Sequence, residues 1–384
     1  MKQIYFDNAA TTKVDEEVVK AMLPYFNEKF GNASSQHSLG NEAKYALENS
    51  RKIIANSINA KTDEIIFTSG GTEGNNFVLK GLFFQNKKDK TGKNHIITTK
   101  IEHDCILKSC KWLETQGAEV TYLDVDKEGF VNLEQLKHSI NEKTFLVSII
   151  HGNNEIGTIQ DLEAIGNICK SKNVLFHTDA CQSYTKTPIN VKKQNLDLIT
   201  LNAHKIHGPK GAGAVYIREG IKITPLFHGG GHESKLRSGT ENIPGLVGFA
   251  KAVDIAKQKY VEKMEKLRDK IIKEILKIPN TRLNGSKEKR ICNNINISFN
   301  NIEGEALGGY LENKGILTST GSACMSNTLE TSHVLKALGL TPLESNSSIR
   351  ITLSKFTTEE DVDYLLKILP EIVNKLRRFS PLIK

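Results

Sequence analysis

Lys205 closes the run Leu196-Asp197-Leu198-Ile199-Thr200-Leu201-Asn202-Ala203-His204-Lys205, and Ile206-His207-Gly208-Pro209 follows. A short apolar run that stops on His-Lys and then breaks on Gly-Pro reads as a buried strand opening into a loop. An amine at such a strand end, beside a cationic or aromatic neighbour such as His204, suits a Schiff-base lysine, because desolvation favours its neutral, nucleophilic form. The same pattern also describes a solvated lysine, so the weight rests on what accompanies it.

Asp179 closes a second apolar run, Val174-Leu175-Phe176-His177-Thr178-Asp179, with Gln182 three residues on. A carboxylate at a strand end can hold a proton on a ring nitrogen, and an isolated Asp can equally cap a helix starting near Ala180. A third run, Glu64-Ile65-Ile66-Phe67, leads into Thr68-Ser69-Gly70-Gly71-Thr72 and a helical pattern from Glu73 through Leu82. Strand, Gly-rich turn and helix N-terminus together make an anion site, because free N–H groups and the helix dipole converge there. The spacing fits neither a Walker loop nor a dinucleotide fingerprint. His103 follows the strand Ile96-Ile97, where a flat imidazole can stack on an aromatic ring and move protons, or simply start a helix. Asn153-Asn154-Glu155 follows the strand Phe145 to Ile150; its amides can hold a ring substituent or make a turn.

A lysine, a carboxylate, a phosphate cradle, an imidazole and an amide at successive strand ends suit pyridoxal phosphate. In such a site Asp179 would keep the pyridine nitrogen protonated, Gln182 could donate to the phenolic oxygen, the Gly70-Gly71-Thr72 turn would hold the phosphate and Lys205 would hold the aldehyde carbon.

With these pieces in order, the chain resembles the cysteine desulfurases, pyridoxal-phosphate enzymes of the aspartate-aminotransferase fold. The resemblance runs from Tyr5-Phe6-Asp7-Asn8-Ala9-Ala10-Thr11-Thr12 to Arg350-Ile351-Thr352-Leu353-Ser354-Lys355-Phe356-Thr357-Thr358-Glu359-Glu360, with Phe30-Gly31-Asn32-Ala33-Ser34-Ser35-Gln36-His37, Gly229-Gly230-Gly231-His232-Glu233 and Arg237-Ser238-Gly239-Thr240-Glu241-Asn242 between. Ser319-Thr320-Gly321-Ser322-Ala323-Cys324 separates a desulfurase from an aminotransferase: the resemblance implies that Cys324 carries sulfur away as a persulfide. Its surroundings, small and polar with no strong period, suit a loop from which a thiol can travel. The distance from Cys324 to the expected helix cap at Ser332 resembles the family's long-loop class. The resemblance further implies catalytic roles for Cys324, Lys205 and His103, with Asn154 and Arg350 binding the substrate L-cysteine. It adds Asn202 and His204 to the cofactor site, and a homodimer in which Thr240 reaches the partner's cofactor phosphate. The family usually carries serine or threonine where this chain has Asn202, whose amide is a longer and flatter donor; Gly71 and Thr72 carry the phosphate assignment. Sulfur acceptors such as an iron–sulfur scaffold or a tRNA-thiolation enzyme are the implied protein partners. A selenocysteine lyase shares the fold and chemistry, a generic aminotransferase shares the cofactor site without needing Cys324, and a non-catalytic binding protein would not need Lys205.

The bulk numbers agree with a large enzyme. At 384 residues the chain accommodates two domains, and 38% hydrophobic with 25% charged residues excludes a disordered chain. Six cysteines without a CxxC pair or metal spacing suit reduced, cytoplasmic thiols and no metal. Met1-Lys2-Gln3-Ile4-Tyr5 has no apolar signal segment, and no run approaches membrane-spanning length. The net charge of +8 is scattered, with no RNA-binding motif, so direct nucleic-acid binding is not expected.

Apolar runs near 65, 96, 120, 146, 175, 198 and 213 alternate with helical patterns such as 41–59, 104–116 and 162–171. This predicts an α/β fold with a mainly parallel seven-stranded sheet in a large domain, residues 14–255. Residues 1–13 and 256–384 are assigned to a smaller α+β domain carrying the Cys324 loop. One long helical region is expected from Leu246 to about Leu276.

Overall fold

The computed structural model describes residues 3–320 and 331–380, so Cys324 lies outside the described residues. The large sheet is built from β2 (Ile65–Thr68), β3 (His95–Thr99), β4 (Glu119–Leu123), β5 (Thr144–Ser148), β6 (Leu175–Asp179), β7 (Leu198–Asn202) and β8 (Gly213–Ile217); β1 (Ile4–Tyr5) lies elsewhere. The order is β2-β8-β7-β6-β5-β3-β4. Only β8 runs antiparallel to its neighbours. The remaining strands therefore end along one edge.

These strands are continuous apolar runs because helices cover both faces. Ile66, Ile96, Leu146, Leu198 and Val215 face the helices Gly71–Lys88 and Asp104–Glu114, packing on Val78, Leu82 and Ile106. Their sequence neighbours Phe67, Ile97, Val147, Ile199 and Ala214 face the opposite way, toward Ile54 and Phe249 of the helices Ser38–Ser57 and Ile243–Asp254. This is the period-two alternation of a strand, with apolar side chains on both faces. Each such buried side chain contributes about 1.5–3 kcal/mol.

A second sheet has the order β12-β10-β9, where β9 is Thr281–Leu283, β10 is Asn294–Phe299 and β12 is Ser348–Thr352; all its pairings are antiparallel. β1 pairs in parallel with β11 (Ile316–Leu317), which lies between β10 and β12 in the chain. Asp7 then bridges Thr352, which carries the chain past β12 toward the edge of the large sheet.

The single long helix expected over 246–276 is in fact two, Ile243–Asp254 and Gln258–Ile275. Lys257 is extended at φ −123° and ψ 143°. No glycine or proline marks this break. It falls where the chain changes cores: Val253 and Ile255 pack with the large sheet, whereas Val261 and Met264 pack with Ile295 and Ile297. Among the described residues no helix is long and apolar enough to cross a membrane, and no group of His, Cys, Asp and Glu could hold a metal ion.

Candidate active site

Loops leaving the ends of β2, β3, β5, β6 and β7 surround a cavity of about 530 Å³, closed on one side by the strap Asp7–Ala10 and by Arg350 of β12. Gly71, Thr72, His103, Asn154, Asp179, Gln182, Asn202, His204, Lys205 and Arg350 all line it. Topology accounts for all of these but Arg350, because parallel strands present their following loops on one edge; Arg350 comes from the second sheet.

The Lys205 ammonium donates to the carbonyls of Ala9 and Ala10, the latter at 2.7 Å. Its neighbour His204 bonds Thr11 Oγ1 at 3.1 Å. Burial, with Lys205, Lys210 and Lys186 nearby, pushes the imidazole down to about 4. Of the two kinds of neighbour expected for Lys205, His204 is thus the neutral aromatic one. Asp179, 5% exposed, accepts from Cys181 N at 2.9 Å and from Asn75 Nδ2 at 2.6 Å. It caps a turn rather than an α-helix, since residues 181–186 form turns. Gln182 Nε2 donates to Ala9 O at 2.9 Å, which ties the strap to the floor.

The helix Gly71–Lys88 begins without a side-chain cap, which leaves its first N–H groups for an anion. A Cβ on Gly71 would stand 2.6 Å from Cys181 Sγ and 3.6 Å from Asn202 Nδ2, so glycine is required for this close approach. Asn202 thus adjoins the cradle despite being an amide where a hydroxyl is usual. Next to the cradle, Glu73 pairs with Arg237 at 2.8 and 3.2 Å. Thr240, three residues beyond Arg237, is exposed and is not among the residues lining this cavity.

Arg350, 4% exposed, donates from Nη2 to Asp7 Oδ1 at 2.9 Å and from Nη1 to Asn154 O at 3.1 Å. His103 caps the helix Asp104–Glu114, its Nδ1 accepting from Cys105 N at 3.2 Å. Burial pushes its imidazole below the ordinary histidine range.

Sequence reasoning missed several lining residues. Glu102 is fully buried, accepts from Thr99 Oγ1 at 2.7 Å and Ile150 N at 2.9 Å, and is pushed by burial up to about 8. Glu155 accepts from Ser332 Oγ at 2.5 Å, and burial raises its carboxyl. His333 Nε2 donates to Glu102 O at 2.9 Å. Ser332 also caps the helix His333–Ala337, as expected. Asn75 and Cys105 also lie in the wall. Only the pair Glu102-His103 at a strand end carried a sequence signal; the rest are brought in from other elements.

Comparison with known proteins settles the family. The aminotransferase class-V family model matches residues 4–365. The chain belongs to the aminotransferase class-V family. A cysteine desulfurase IscS of Methanosarcina thermophila is 52% identical, the match covering 99% of this chain and 94% of that protein. One from Dictyoglomus turgidum is 48% identical over 99% of this chain and 97% of that protein. A solved NifS-like protein superposes with a TM-score of 0.90 at 42% identity, covering 97% of this chain and all of that one. The structure of SspA in complex with cysteine gives 0.82 at 37% identity, covering 92% and 99%.

The family's cofactor is pyridoxal 5′-phosphate, and the cavity fits it. Asn75 Oδ1, Glu102 Oε2, Asn154 Oδ1, Asn202 Oδ1 and Arg350 Nε are all buried without a hydrogen-bond partner, and all five residues line this one cavity. Buried polar atoms are normally paired, so this concentration marks a site built for a polar ligand.

Proposed function

We propose that this chain is a pyridoxal-phosphate-dependent cysteine desulfurase, converting L-cysteine to L-alanine with a persulfide formed on Cys324. The observation that carries this reading is the convergence of Lys205, Asp179, His103, Arg350 and the Gly71–Thr72 turn on one cavity. Bound there, the cofactor supplies an electron sink for the carbon beside the substrate nitrogen. Lys205, Asp179, Gln182, His204, Asn202, Gly71 and Thr72 are the residues that would hold it.

Arg350 binds the substrate carboxylate. Its guanidinium is fixed by Asp7 and the Asn154 carbonyl, and it keeps an unpartnered Nε for a planar anion. Asn154 Oδ1 adds an acceptor beside it. Lys205, released from the Ala9 and Ala10 carbonyls, moves protons. The Cys324 thiolate attacks the substrate sulfur. An S–S bond forms as the C–S bond breaks, the electron pair stays on the substrate carbon, and a proton completes alanine. The persulfide then passes to an acceptor such as an iron–sulfur scaffold or a tRNA-thiolation enzyme.

The chain is taken to act in the cytoplasm as a homodimer. Phe26, Phe30 and Tyr45 are 62%, 64% and 75% exposed, a set of large apolar side chains suited to a second copy. Thr240 then reaches the partner's cofactor phosphate. Residues 14–255 are taken as the large domain, and 1–13 with 256–384 as the small one.

The deciding experiment supplies L-cysteine to the cofactor-loaded protein and measures alanine and sulfur equivalents. Stoichiometric alanine is expected; alanine from L-selenocysteine alone, or transamination without sulfur release, would overturn the reading. Two variants test the parts. Asp179→Asn should retain cofactor but lose roughly two orders of magnitude in turnover, as when an electrostatic partner of developing charge is neutralised. Turnover at the parental rate would remove Asp179 from its role. Arg350→Lys keeps the charge but loses the planar fork, so KM for L-cysteine should rise roughly 30-fold, about 2 kcal/mol, with kcat changed far less. Steady-state kinetics separates the two constants.

A further inference from the structure

Asn75 and Cys105 touch both ends of the proposed machinery. Asn75 is fully buried, one helical turn beyond Gly71. Its Nδ2 has two hydrogens and two acceptors within reach, Asp179 Oδ2 at 2.6 Å and Cys105 Sγ at 3.2 Å. The amide must present its nitrogen here, because its oxygen would face a carboxylate, acceptor against acceptor. Cys105 Sγ also lies 3.1 Å from His103 Nδ1. Burial pushes that thiol up to about 12, so it carries its hydrogen at neutral pH. With Asn75 and the Thr72 hydroxyl both donating to the sulfur, the S–H is directed at His103. The Cys105 backbone N–H donates to the same Nδ1 at 3.2 Å. Nδ1 therefore faces two donors and has no room for a proton of its own.

We propose that the relay Asp179–Asn75–Cys105–His103 fixes the imidazole as the neutral Nε2–H tautomer, with Asn75 and Cys105 as positioning residues for the reaction. The proposal rests on the desulfurase reading for its function, but not for its geometry. Its consequence is directional. A ring protonated at Nε2 and capped at Nδ1 gives a proton or hydrogen bond from Nε2 and does not accept one there, so proton abstraction falls to Lys205. The relay also ties the ring's orientation to the Asp179 carboxylate.

The test is ring nitrogen-15 spectroscopy of histidine-labelled holoenzyme, with His103 assigned by its loss in His103→Gln. Protonated Nε2 and unprotonated Nδ1 are expected at pH 7.5, with a titration midpoint below that of free histidine. A protonated Nδ1 would overturn the proposal. The charged and titratable groups around the ring are Asp179 of β6, Lys205 beyond β7, Asp104 of its own helix and His333 of the helix His333–Ala337. None of them changes in Cys105→Ala, which removes the S–H donor to Nδ1 together with the sulfur that accepts from Asn75 Nδ2. Its midpoint should rise by about half to one pH unit, the size of one net hydrogen bond, and the acidic limb of the kcat profile should move with it. Cys105→Ser restores a donor and should reverse both changes. A midpoint unmoved in Cys105→Ala would overturn the relay. An intact Nε2–H signature in a protein that makes no alanine would count against the desulfurase reading alone.

Discussion

Lys205→Ala is expected to abolish covalent attachment of the cofactor and to lower turnover on the order of 10⁴-fold or more, as when a covalent catalytic group is removed. The cavity offers no substitute. Among the described residues, Lys205 is the one lysine that lines it. Lys210 lies five residues on, past the Gly208-Pro209 turn, and is exposed. Lys186 is half-buried and pushed down to about 8 by desolvation, but its Nζ donates to Gln182 O at 2.8 Å, and it lines cavities other than this one. The Lys205 ammonium bridges two carbonyls of the strap, which the variant would leave to solvent or cofactor. Borohydride reduction of the parental protein followed by peptide mapping should place the pyridoxyl group on Lys205. A label on Lys186 or Lys210 would contradict the assignment.

Cys324→Ser is expected to keep the cofactor and still bind L-cysteine, yet to form no protein persulfide and lose alanine production when no external thiol is present. The thiolate is the nucleophile, so the reacting cysteine must be able to ionise. The five cysteines among the described residues are poorly suited. Burial pushes Cys105, Cys110 and Cys169 up to about 12 and Cys292 to about 11, and Cys181, between Asp179 and Gln182, is raised as well. Single replacements of Cys110, Cys169 and Cys292 should leave sulfur transfer intact. Mass spectrometry after cysteine addition reads the site directly. Extra sulfur on Cys181 with none on Cys324 would break the mechanism at its central step.

Much of the chemistry was legible because it sits on local patterns. Lys205, Asp179, Gly71, His103 and Asn154 each follow an apolar run, and a run buried on both faces is visible without knowing its neighbours. The seven strand positions were legible for the same reason. The helix break at 255–257 was not, because no residue type encodes it; it arises where the chain leaves one core and enters another. Asn75 was hidden inside a helical pattern, where its type means little until Asp179 of β6 is found 2.6 Å away.

By itself the sequence determined which residues end the strands, and hence the set of groups available for pyridoxal-phosphate chemistry. The tertiary structure decided how they are held: that Asp7 braces Arg350 across 343 positions, that Ala9 receives both Lys205 and Gln182, and that His103 Nδ1 is capped. The physical reason is range. Strand and helix signals are periodic over a few residues, whereas a hydrogen bond is set by approach within about 3 Å, which only the packed chain fixes.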